Sequence, residues 1–504
     1  MLGGMQHVEG LWDRRLAGAP GERPFRSRAA GRPARRPNIV FLLADDLGWG
    51  DLGCFGSLHI RTPHLDRLAA QGIRFTHAYS ASPWCSPMRL ALYTGRNPGR
   101  LPAGLEEPLT TRADGNGIPH GQPTISSRLK DAGYRTAMFG KWHCGWLPWY
   151  SPLKIGFDVF FGNLDGAMDY FTHIDTLGQK DLYEGETPVE LEGYYTELIA
   201  SRAVDYIGQQ TPDQPFYLQV NWNAPHWPWE GPGDTAVGAE IERRHRDGED
   251  RFPLLHFDGG SLAKYGELVE AMDDGTGRIL AALDEGGLAD DTIVIFCSDN
   301  GGERYSFMWP FIGEKGDVTE GGIRVPFILR WPAAIDGGQW SDATSITMDW
   351  TVTLLDAADA GPDPAAPPQD GRPMAELPMD GVSLLPWLVD GADHPGHDLF
   401  WRISSQGALR RGRYKLVIDN RPQTRLGNWP LVPTGAVKLF DVSGDGREHA
   451  DIARHHPDLV ASMRAEWDRI DATLLPYPPN HPGRPENVGP RLAKLGAPAV
   501  SRPD

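Results

Sequence analysis

The chain has 504 residues, which is enough for one large domain with a smaller one, or for two ordinary domains. Its 49 Lys and Arg residues against 67 Asp and Glu residues give a formal net charge of −18, and this acidic excess argues against a nucleic-acid partner. No run approaches the roughly 18 apolar residues of a membrane span. The four cysteines include no Cys-x-x-Cys pair, which disfavours a zinc site and a disulfide framework.

Residues 1–36 are rich in Arg, Gly, Ala and Pro and lack the apolar core of a signal peptide. We therefore expect this segment to be a disordered or mis-started extension. We also expect a cytoplasmic location, because no export signal is recognisable.

Strand-like and helix-like segments alternate from residue 37 onwards. Uninterrupted apolar runs, typical of strands buried on both faces, cover 38–44 and 292–298, and shorter runs cover 73–75, 136–139 and 216–220. Helical patterns cover 62–71, 124–132, 193–209, 262–283 and 348–360. This alternation predicts an α/β fold with a mostly parallel sheet and helices on both faces.

The pattern changes after about residue 395. Short strands at 399–404, 407–410, 414–418 and 438–442 are followed by an amphipathic helix at 457–474. We predict a main domain over 37–394, a small subdomain of antiparallel sheet plus helix over 395–480, and an extended tail over 481–504.

The stretch Cys85-Ser86-Pro87-Met88-Arg89 places a thiol on a turn that leads into a helical run. Backbone N–H groups at a helix N-terminus favour anions, and Arg89 would lie one turn further along the same face as Cys85. These residues therefore fit a nucleophile beside an anion site. A buried structural cysteine with a surface arginine explains the pentapeptide alone equally well.

Acidic and amide residues end the two long apolar runs. Asp45 and Asp46 follow the first run, and Asp299 and Asn300 follow the second. Because doubly wound sheets bind ligands at the carboxyl ends of their strands, these oxygen atoms are expected to converge. An all-oxygen site suits Ca²⁺ or Mg²⁺ better than Zn²⁺. Asp and Asn are also common in turns after strands, so neither pair alone indicates a site.

Basic residues are predicted at the same edge. Lys141 and His143 lie just beyond the strand at 136–139, and His226 lies beyond the strand at 216–220. Lys315 lies in a glycine-flanked loop that precedes Glu320-Gly321-Gly322-Ile323-Arg324-Val325-Pro326. One such histidine is more often structural than catalytic, but several basic residues on one edge indicate a site.

In order and spacing, these motifs resemble the formylglycine-dependent sulfatases of the alkaline phosphatase superfamily. The resemblance extends over roughly residues 36–330 and, more weakly, into the C-terminal part. The Cys-x-Pro-x-Arg turn and the Gly-x-Lys with Glu-Gly-Gly-Ile-Arg-Val-Pro are highly specific, whereas the acidic pairs are specific only in combination. The resemblance implies an alkaline-phosphatase-like fold with a mixed, mostly parallel sheet, in which 37–394 is the sulfatase catalytic domain.

The resemblance also implies a modified nucleophile and a cation. Cys85 would be oxidised to formylglycine by a formylglycine-generating enzyme and would act as the aldehyde hydrate. The cation would be Ca²⁺, with Mg²⁺ as the alternative. The implied ligands are three carboxylates, one amide and the modified residue: Asp45, Asp46, Asp299, Asn300 and Cys85.

The remaining roles are likewise implied by the resemblance. Arg89 would stabilise the ionised diol, and Lys141 and Lys315 would bind sulfate oxygens as point charges. His143 would accept a proton during sulfate release, and His226 would contact the sulfate and protonate the leaving oxygen.

The implied reaction is the hydrolysis of a sugar or aryl sulfate monoester to the alcohol and inorganic sulfate, so the partner is a sulfated small molecule or saccharide. Segments 165–191, 227–251 and 423–436 are predicted to line the mouth of the site. Their aromatic side chains, with one from a preceding loop, favour a carbohydrate sulfate: Tyr170, His173, Trp227, Trp229, Trp429 and Trp149. Two alternatives stay open: a phosphonate or phosphodiester hydrolase of the same superfamily, and a calcium-binding non-enzyme whose cysteine is never converted.

Overall fold

The computed structural model describes residues 22–29, 31–250, 252–256, 258–361, 379–419 and 436–479. Its strands are β1 (Arg23–Pro24), β2 (Asn38–Ala44), β3 (Ile73–Phe75), β4 (Ala78–Tyr79), β5 (Arg135–Gly140), β6 (Val159–Gly162), β7 (Tyr183–Glu184), β8 (Thr187–Pro188), β9 (Phe216–Asn221), β10 (Thr292–Ser298), β11 (Phe327–Arg330), β12 (Gln339–Ser341), β13 (Ser345–Ile346), β14 (Leu399–Ile403), β15 (Gln406–Arg411), β16 (Tyr414–Asp419) and β17 (Ala436–Asp441). Its α-helices are α1 (Pro63–Ala70), α2 (Cys85–Thr94), α3 (Ile125–Asp131), α4 (Tyr195–Ile207), α5 (Thr235–Arg246), α6 (Leu262–Glu285), α7 (Glu320–Ile323), α8 (Thr347–Ala357), α9 (Leu385–Val389) and α10 (Pro457–Asp471).

One large sheet forms the centre of the main domain. Its strand order is β1-β12-β3-β11-β10-β2-β9-β5-β6-β7-β8. The run from β10 to β6 is parallel, whereas β11 is antiparallel to both of its neighbours. The predicted mixed, mostly parallel sheet is therefore confirmed.

The sheet is covered on both faces. Along β2, Val40 and Leu42 belong to one hydrophobic core, which includes side chains of α4 and α6, while Ile39, Phe41 and Leu43 belong to a second core with side chains of α2, α3 and α8. Because successive side chains of a strand point to opposite faces, a strand covered on both sides must be apolar throughout. This explains the uninterrupted apolar run of β2.

The segment before β2 differs from the sequence prediction. We expected residues 1–36 to be a disordered or mis-started extension, but β1, which lies within that segment, pairs with β12 in parallel at the edge of the sheet. Glu22 pairs with the buried Arg74 at 2.8 Å, and Arg28 pairs with Asp336 at 2.5 Å. The arginines that suggested an unfolded tail have acidic partners in the folded domain, which local composition does not indicate. Residues 1–21 lie outside the described part of the chain.

The C-terminal subdomain is a four-stranded antiparallel sheet in the order β14-β15-β16-β17, and α10 packs on it through Met463 and Trp467. This confirms the predicted antiparallel sheet with one helix. The buried Lys415 of β16 contacts Glu320 of α7 at 2.9 Å, which fastens the subdomain to the main domain. No helix in the described ranges is long and apolar enough to cross a membrane.

Candidate active site

Four neighbouring parallel strands bring polar residues to one edge of the sheet. Asp45 and Asp46 follow β2, Asp299 and Asn300 follow β10, Lys141 and His143 follow β5, and His226 follows β9. Cys85 and Arg89 come from the first turns of α2, and Lys315 comes from the loop between β10 and α7. The structure thus brings all of the predicted site residues into one cluster, as expected for the carboxyl edge of a parallel sheet.

Cys85 is the first residue of α2, and its side chain is almost fully buried. Its Sγ atom lies within 4.8 Å of carboxylate oxygens of Asp45 and Asp299. Burial raises the pKa of the Cys85 thiol to about 11, against the opposing effect of two nearby lysines. Since the thiolate is the nucleophilic form of cysteine, unmodified Cys85 is poorly suited to attack a substrate.

Three buried cationic side chains face the three carboxylates. The ion pairs are Arg89–Asp299 at 2.8 Å, Arg89–Asp45 at 3.3 Å, Lys141–Asp45 at 2.5 Å and Lys315–Asp46 at 2.5 Å. Arg89 also donates a hydrogen bond to the carbonyl oxygen of Lys141 at 3.0 Å. The charges of these six side chains therefore balance one another, and each of the three basic side chains is held in place by at least one carboxylate.

The backbone of Asp46 helps to bring the carboxylates together. Its φ of 63° is left-handed, and its amide N–H donates to Asp299 Oδ1 at 3.1 Å. Burial alone would raise the pKa of Asp46, but the charge of Lys315, which also donates a hydrogen bond to this carboxylate, holds that pKa at about 2. Burial and the charge of Asp45 raise the pKa of Asp299 to about 7.

These oxygen atoms fit a hard divalent cation. Asn300 Nδ2 donates to Asp46 Oδ1 at 2.7 Å, while Asn300 Oδ1 is buried and has no hydrogen-bond partner among the described residues. An orphaned amide oxygen beside three carboxylates is a ligand set that Ca²⁺ or Mg²⁺ takes. The residues present therefore suit the predicted cation.

The ring of His143 is fixed from one side. Its Nε2 lies 3.0 Å from the carbonyl oxygen of Leu109, so this nitrogen carries the proton that is donated. Its Nδ1 is buried and lacks a hydrogen-bond partner within the described ranges. Burial and the charge of Lys141 lower the pKa of His143 well below its usual value, so the ring is neutral and Nδ1 is a proton acceptor.

The ring of His226 is oriented differently. Its Nδ1 lies 2.8 Å from the carbonyl oxygen of Trp227, and its Nε2 lies 3.5 Å from Asp46 Oδ2. Burial and the charge of Lys315 lower the pKa of His226 well below its usual value. The ring also lies against the Trp227 indole, with the ring centroids 4.3 Å apart.

A cavity of about 830 Å³ opens onto the cluster. Cys85, His143, His226 and Lys315 line it, and the larger part of its wall is aromatic or aliphatic, including Trp84, Leu109, Leu177, Trp227, Trp229 and Phe252. Ligand pockets in proteins are typically about 300–1,000 Å³, so the cavity has room for a substrate larger than sulfate itself.

The predicted aromatic mouth is correct only in part. Trp227 and Trp229 line the cavity, as do parts of the predicted segment 165–191. Tyr170 and His173 were predicted there but are buried, and the Tyr170 hydroxyl donates to the carbonyl oxygen of His226 at 2.9 Å. Trp149 is exposed and is not among the residues that line the cavity, and Trp429 lies outside the described residues.

Sequence reasoning missed Glu303 and Arg112, which also line the cavity. Arg112 contacts Asp165 and Asp175 at 2.7 Å each and so holds the loop that forms one wall. Glu303 lies three residues after Asn300. Its closeness in sequence to the predicted ligand pair Asp299 and Asn300 could have indicated that it belongs to the site.

Lys315 lines the cavity beside Cys85, so the pocket offers an anion a positive charge next to the first residue of α2. With a mostly parallel sheet behind them, the fold and the site are those of an alkaline-phosphatase-like hydrolase of anionic esters.

Comparison with known proteins identifies the family. The sulfatase family model matches residues 37–360. N-acetylgalactosamine-6-sulfatase of Rattus norvegicus is 35% identical over 412 residues, which cover 77% of this chain and 72% of that protein. Arylsulfatase J of Mus musculus is 28% identical over 506 residues, which cover 91% of this chain and 80% of that protein. The crystal structure of Ps i-CgsB in complex with k-i-k-neocarrahexaose is 26% identical, with a TM-score of 0.71 over 92% of this chain and 98% of that chain.

The chain therefore belongs to the sulfatase family and is a sulfuric ester hydrolase. This confirms the predicted hydrolysis of sulfate esters. It disfavours both alternatives, a phosphonate or phosphodiester hydrolase and a calcium-binding non-enzyme.

Proposed function

We propose that this sulfatase acts on a sulfated saccharide, with Cys85 converted to formylglycine and a divalent cation at its side. The observation that carries the proposal is the position of Cys85 Sγ, which lines the cavity and lies within 4.8 Å of the Asp45 and Asp299 oxygens. The raised pKa of the thiol argues against catalysis by cysteine itself.

Converted to formylglycine, the residue at position 85 would supply a geminal diol, with one hydroxyl for attack at sulfur and a second whose deprotonation releases sulfate. Arg89, fixed by Asp45 and Asp299, places a positive charge beside the attacking oxygen. Lys141 and Lys315 bind sulfate oxygens as point charges.

The histidines move protons at opposite ends of the reaction. His143 presents an unprotonated Nδ1, which suits it to accept a proton from the second hydroxyl. His226 lies against Trp227 in the cavity, and its Nδ1 faces the carbonyl oxygen of Trp227. A bound sulfate ester brings a negative charge that favours the protonated ring, and in that form His226 would contact the sulfate and donate its Nε2 proton to the leaving oxygen.

Asp45, Asp46, Asp299 and Asn300, together with the modified residue 85, would hold the cation. We favour Ca²⁺, with Mg²⁺ as the alternative, because the ligands are hard oxygen atoms. The bound cation would act as a Lewis acid and lower the pKa of the attacking hydroxyl.

A saccharide as the leaving group is supported by the cavity and by two relatives. Aromatic side chains such as Trp227, Trp229 and Phe252 offer flat faces for stacking on a sugar ring. One relative is an N-acetylgalactosamine-6-sulfatase, and the related solved structure is a complex with k-i-k-neocarrahexaose.

The proposal predicts a mass change and a substrate preference. Expressed with a formylglycine-generating enzyme, the peptide that contains Cys85 should lose about 18 Da through oxidation of the thiol. The purified protein should release sulfate from N-acetylgalactosamine 6-sulfate or another sulfated saccharide. Full turnover by protein of unmodified mass would contradict the formylglycine, and turnover confined to aryl sulfates would contradict the saccharide.

Removal of the cation is expected to lower thermal stability as well as activity. The carboxylates of the cluster repel one another, and a ligand that binds only the folded state stabilises it by about 2.7 kcal/mol at a hundredfold excess over Kd. EDTA should therefore lower the melting temperature, and added Ca²⁺ should restore it.

Two variants make this test specific to the proposed site. Asp46→Ala should abolish the response of the melting temperature to EDTA. Asp274→Ala should retain it, because Asp274 is the exposed member of a separate group with His64 and Asp273. An EDTA-treated wild type with unchanged activity and melting temperature would rule the cation out.

A further inference from the structure

Glu303 is an acidic residue in the substrate cavity that the proposed mechanism does not use. Its half-buried side chain lines the cavity together with Cys85, His226 and Lys315. It accepts a hydrogen bond from the Trp227 side chain and interacts electrostatically with Lys315. The carboxylate therefore faces the space that an incoming anion enters.

The side-chain charges behind Glu303 are balanced, and the proposed divalent cation would add positive charge behind them. Three cations and three carboxylates pair with one another in the buried cluster, so Glu303 is an additional negative charge next to the sulfate-binding lysine. An anion that binds to Lys315 is repelled by Glu303 in proportion to its own charge. A sulfate monoester carries one negative charge, whereas a phosphate monoester above its second pKa of about 6 carries two.

We propose that Glu303 is a specificity-determining residue, whose charge beside Lys315 makes the site select a monoanionic sulfate ester over a dianionic phosphate monoester. This inference rests on the proposed function of the same site. Sulfate and phosphate are both tetrahedral and present similar oxygen atoms, so hydrogen-bond donors alone distinguish them poorly. A fixed negative charge distinguishes them because it acts on the one property in which the two esters differ most.

The test compares three substrates with the same nitrophenol leaving group: nitrophenyl sulfate, nitrophenyl phosphate and phenyl nitrophenyl phosphate. The last is a diester with a phosphorus centre but only one negative charge. Assays at about pH 8 keep the phosphate monoester dianionic. Burial raises the pKa of Glu303 to about 7 against the opposing charge of Lys315. Because a pH of about 8 lies above this pKa, the Glu303 carboxyl is ionised in these assays.

Glu303→Gln removes the charge but keeps the size and an oxygen acceptor for Trp227. We expect kcat/KM for the phosphate monoester to rise about 10- to 100-fold relative to that for the sulfate. The ratio of diester to sulfate should stay within about threefold, since both substrates are monoanions. Glu314→Gln is the matched control, because Glu314 is an exposed carboxylate next to Lys315 in sequence, and it should leave both ratios unchanged.

The outcomes separate this inference from the proposed function. A wild type without sulfatase activity would contradict the proposed function itself. A wild type that is active on sulfate, with a Glu303→Gln variant of unchanged phosphate-to-sulfate ratio, would overturn only the role of Glu303. An equal rise in the ratio of diester to sulfate kcat/KM would also overturn it, because the variant would then favour a phosphorus centre whatever the charge of the substrate. If Glu303→Gln does not fold, as judged by its melting temperature, Glu303→Ala must show the same shift and Glu303→Asp must not.

Discussion

Replacing Cys85 with serine is expected to abolish steady-state turnover of sulfate esters. Serine offers a single hydroxyl group, which can attack sulfur but lacks the second hydroxyl whose deprotonation releases sulfate. We expect kcat to fall by at least about 10⁴-fold, the order of loss seen when an enzyme loses its nucleophile. The measurement is the release of inorganic sulfate over many equivalents of enzyme.

The mass of the variant gives a second readout. At most one sulfate group should remain on the residue at position 85, which adds about 80 Da to its peptide. Cys54→Ser is a suitable control, because Cys54 is a partly buried cysteine whose amide contacts Asp66, away from the cavity, and it should retain kcat. Sustained turnover by a folded Cys85→Ser variant would contradict the diol mechanism.

The inner site could be anticipated from the sequence because its residues lie at strand ends. The apolar runs of β2 and β10 identify two parallel strands, and polar residues that directly follow such strands must meet at one edge of the sheet. The short strands β5 and β9 add Lys141 and His226 by the same rule. Topology therefore fixes these positions before any side-chain contact is known.

The cavity wall could not be anticipated in the same way. Leu254, between α5 and α6, packs in a small hydrophobic cluster with Ile174 and Ile241, and Trp227 lies against that cluster. Such contacts join loops that are far apart in the sequence, and the periodicity of apolar residues does not predict them. Sequence alone likewise does not distinguish Tyr170, which is buried beneath the site, from Trp227, which lines it.

The same limit applies to the first described residues and to Glu303. Composition suggested an unfolded tail, yet the pairing of Glu22 with Arg74 and of β1 with β12 depends on residues that lie far along the chain. The proposed role of Glu303 depends on its position beside Lys315, which reaches the cavity from another part of the same loop. Long-range contacts, rather than local preferences, decide both cases.

Replacing His226 with alanine is expected to slow hydrolysis far more for a sugar sulfate than for nitrophenyl sulfate. A sugar alkoxide is strongly basic and must receive a proton as its bond to sulfur breaks, whereas nitrophenolate is stable near neutral pH. General acid catalysis contributes about 10²- to 10⁴-fold, so kcat/KM for the sugar sulfate should fall by that factor. The factor by which kcat/KM falls for the aryl sulfate should be smaller by at least about tenfold. Both substrates are assayed with the same converted protein.

His143→Ala supplies the comparison, because His143 is proposed to act after the alcohol has left. Its loss should slow sulfate release by the same factor for both substrates where that step limits turnover, and a burst of nitrophenol should precede the slow phase. Equal losses on both substrates for His226→Ala would mean that His226 only binds the sulfate. The proton donor would then be sought at Lys315, because its ammonium lies 2.5 Å from Asp46 Oδ2, the same oxygen that His226 Nε2 approaches at 3.5 Å.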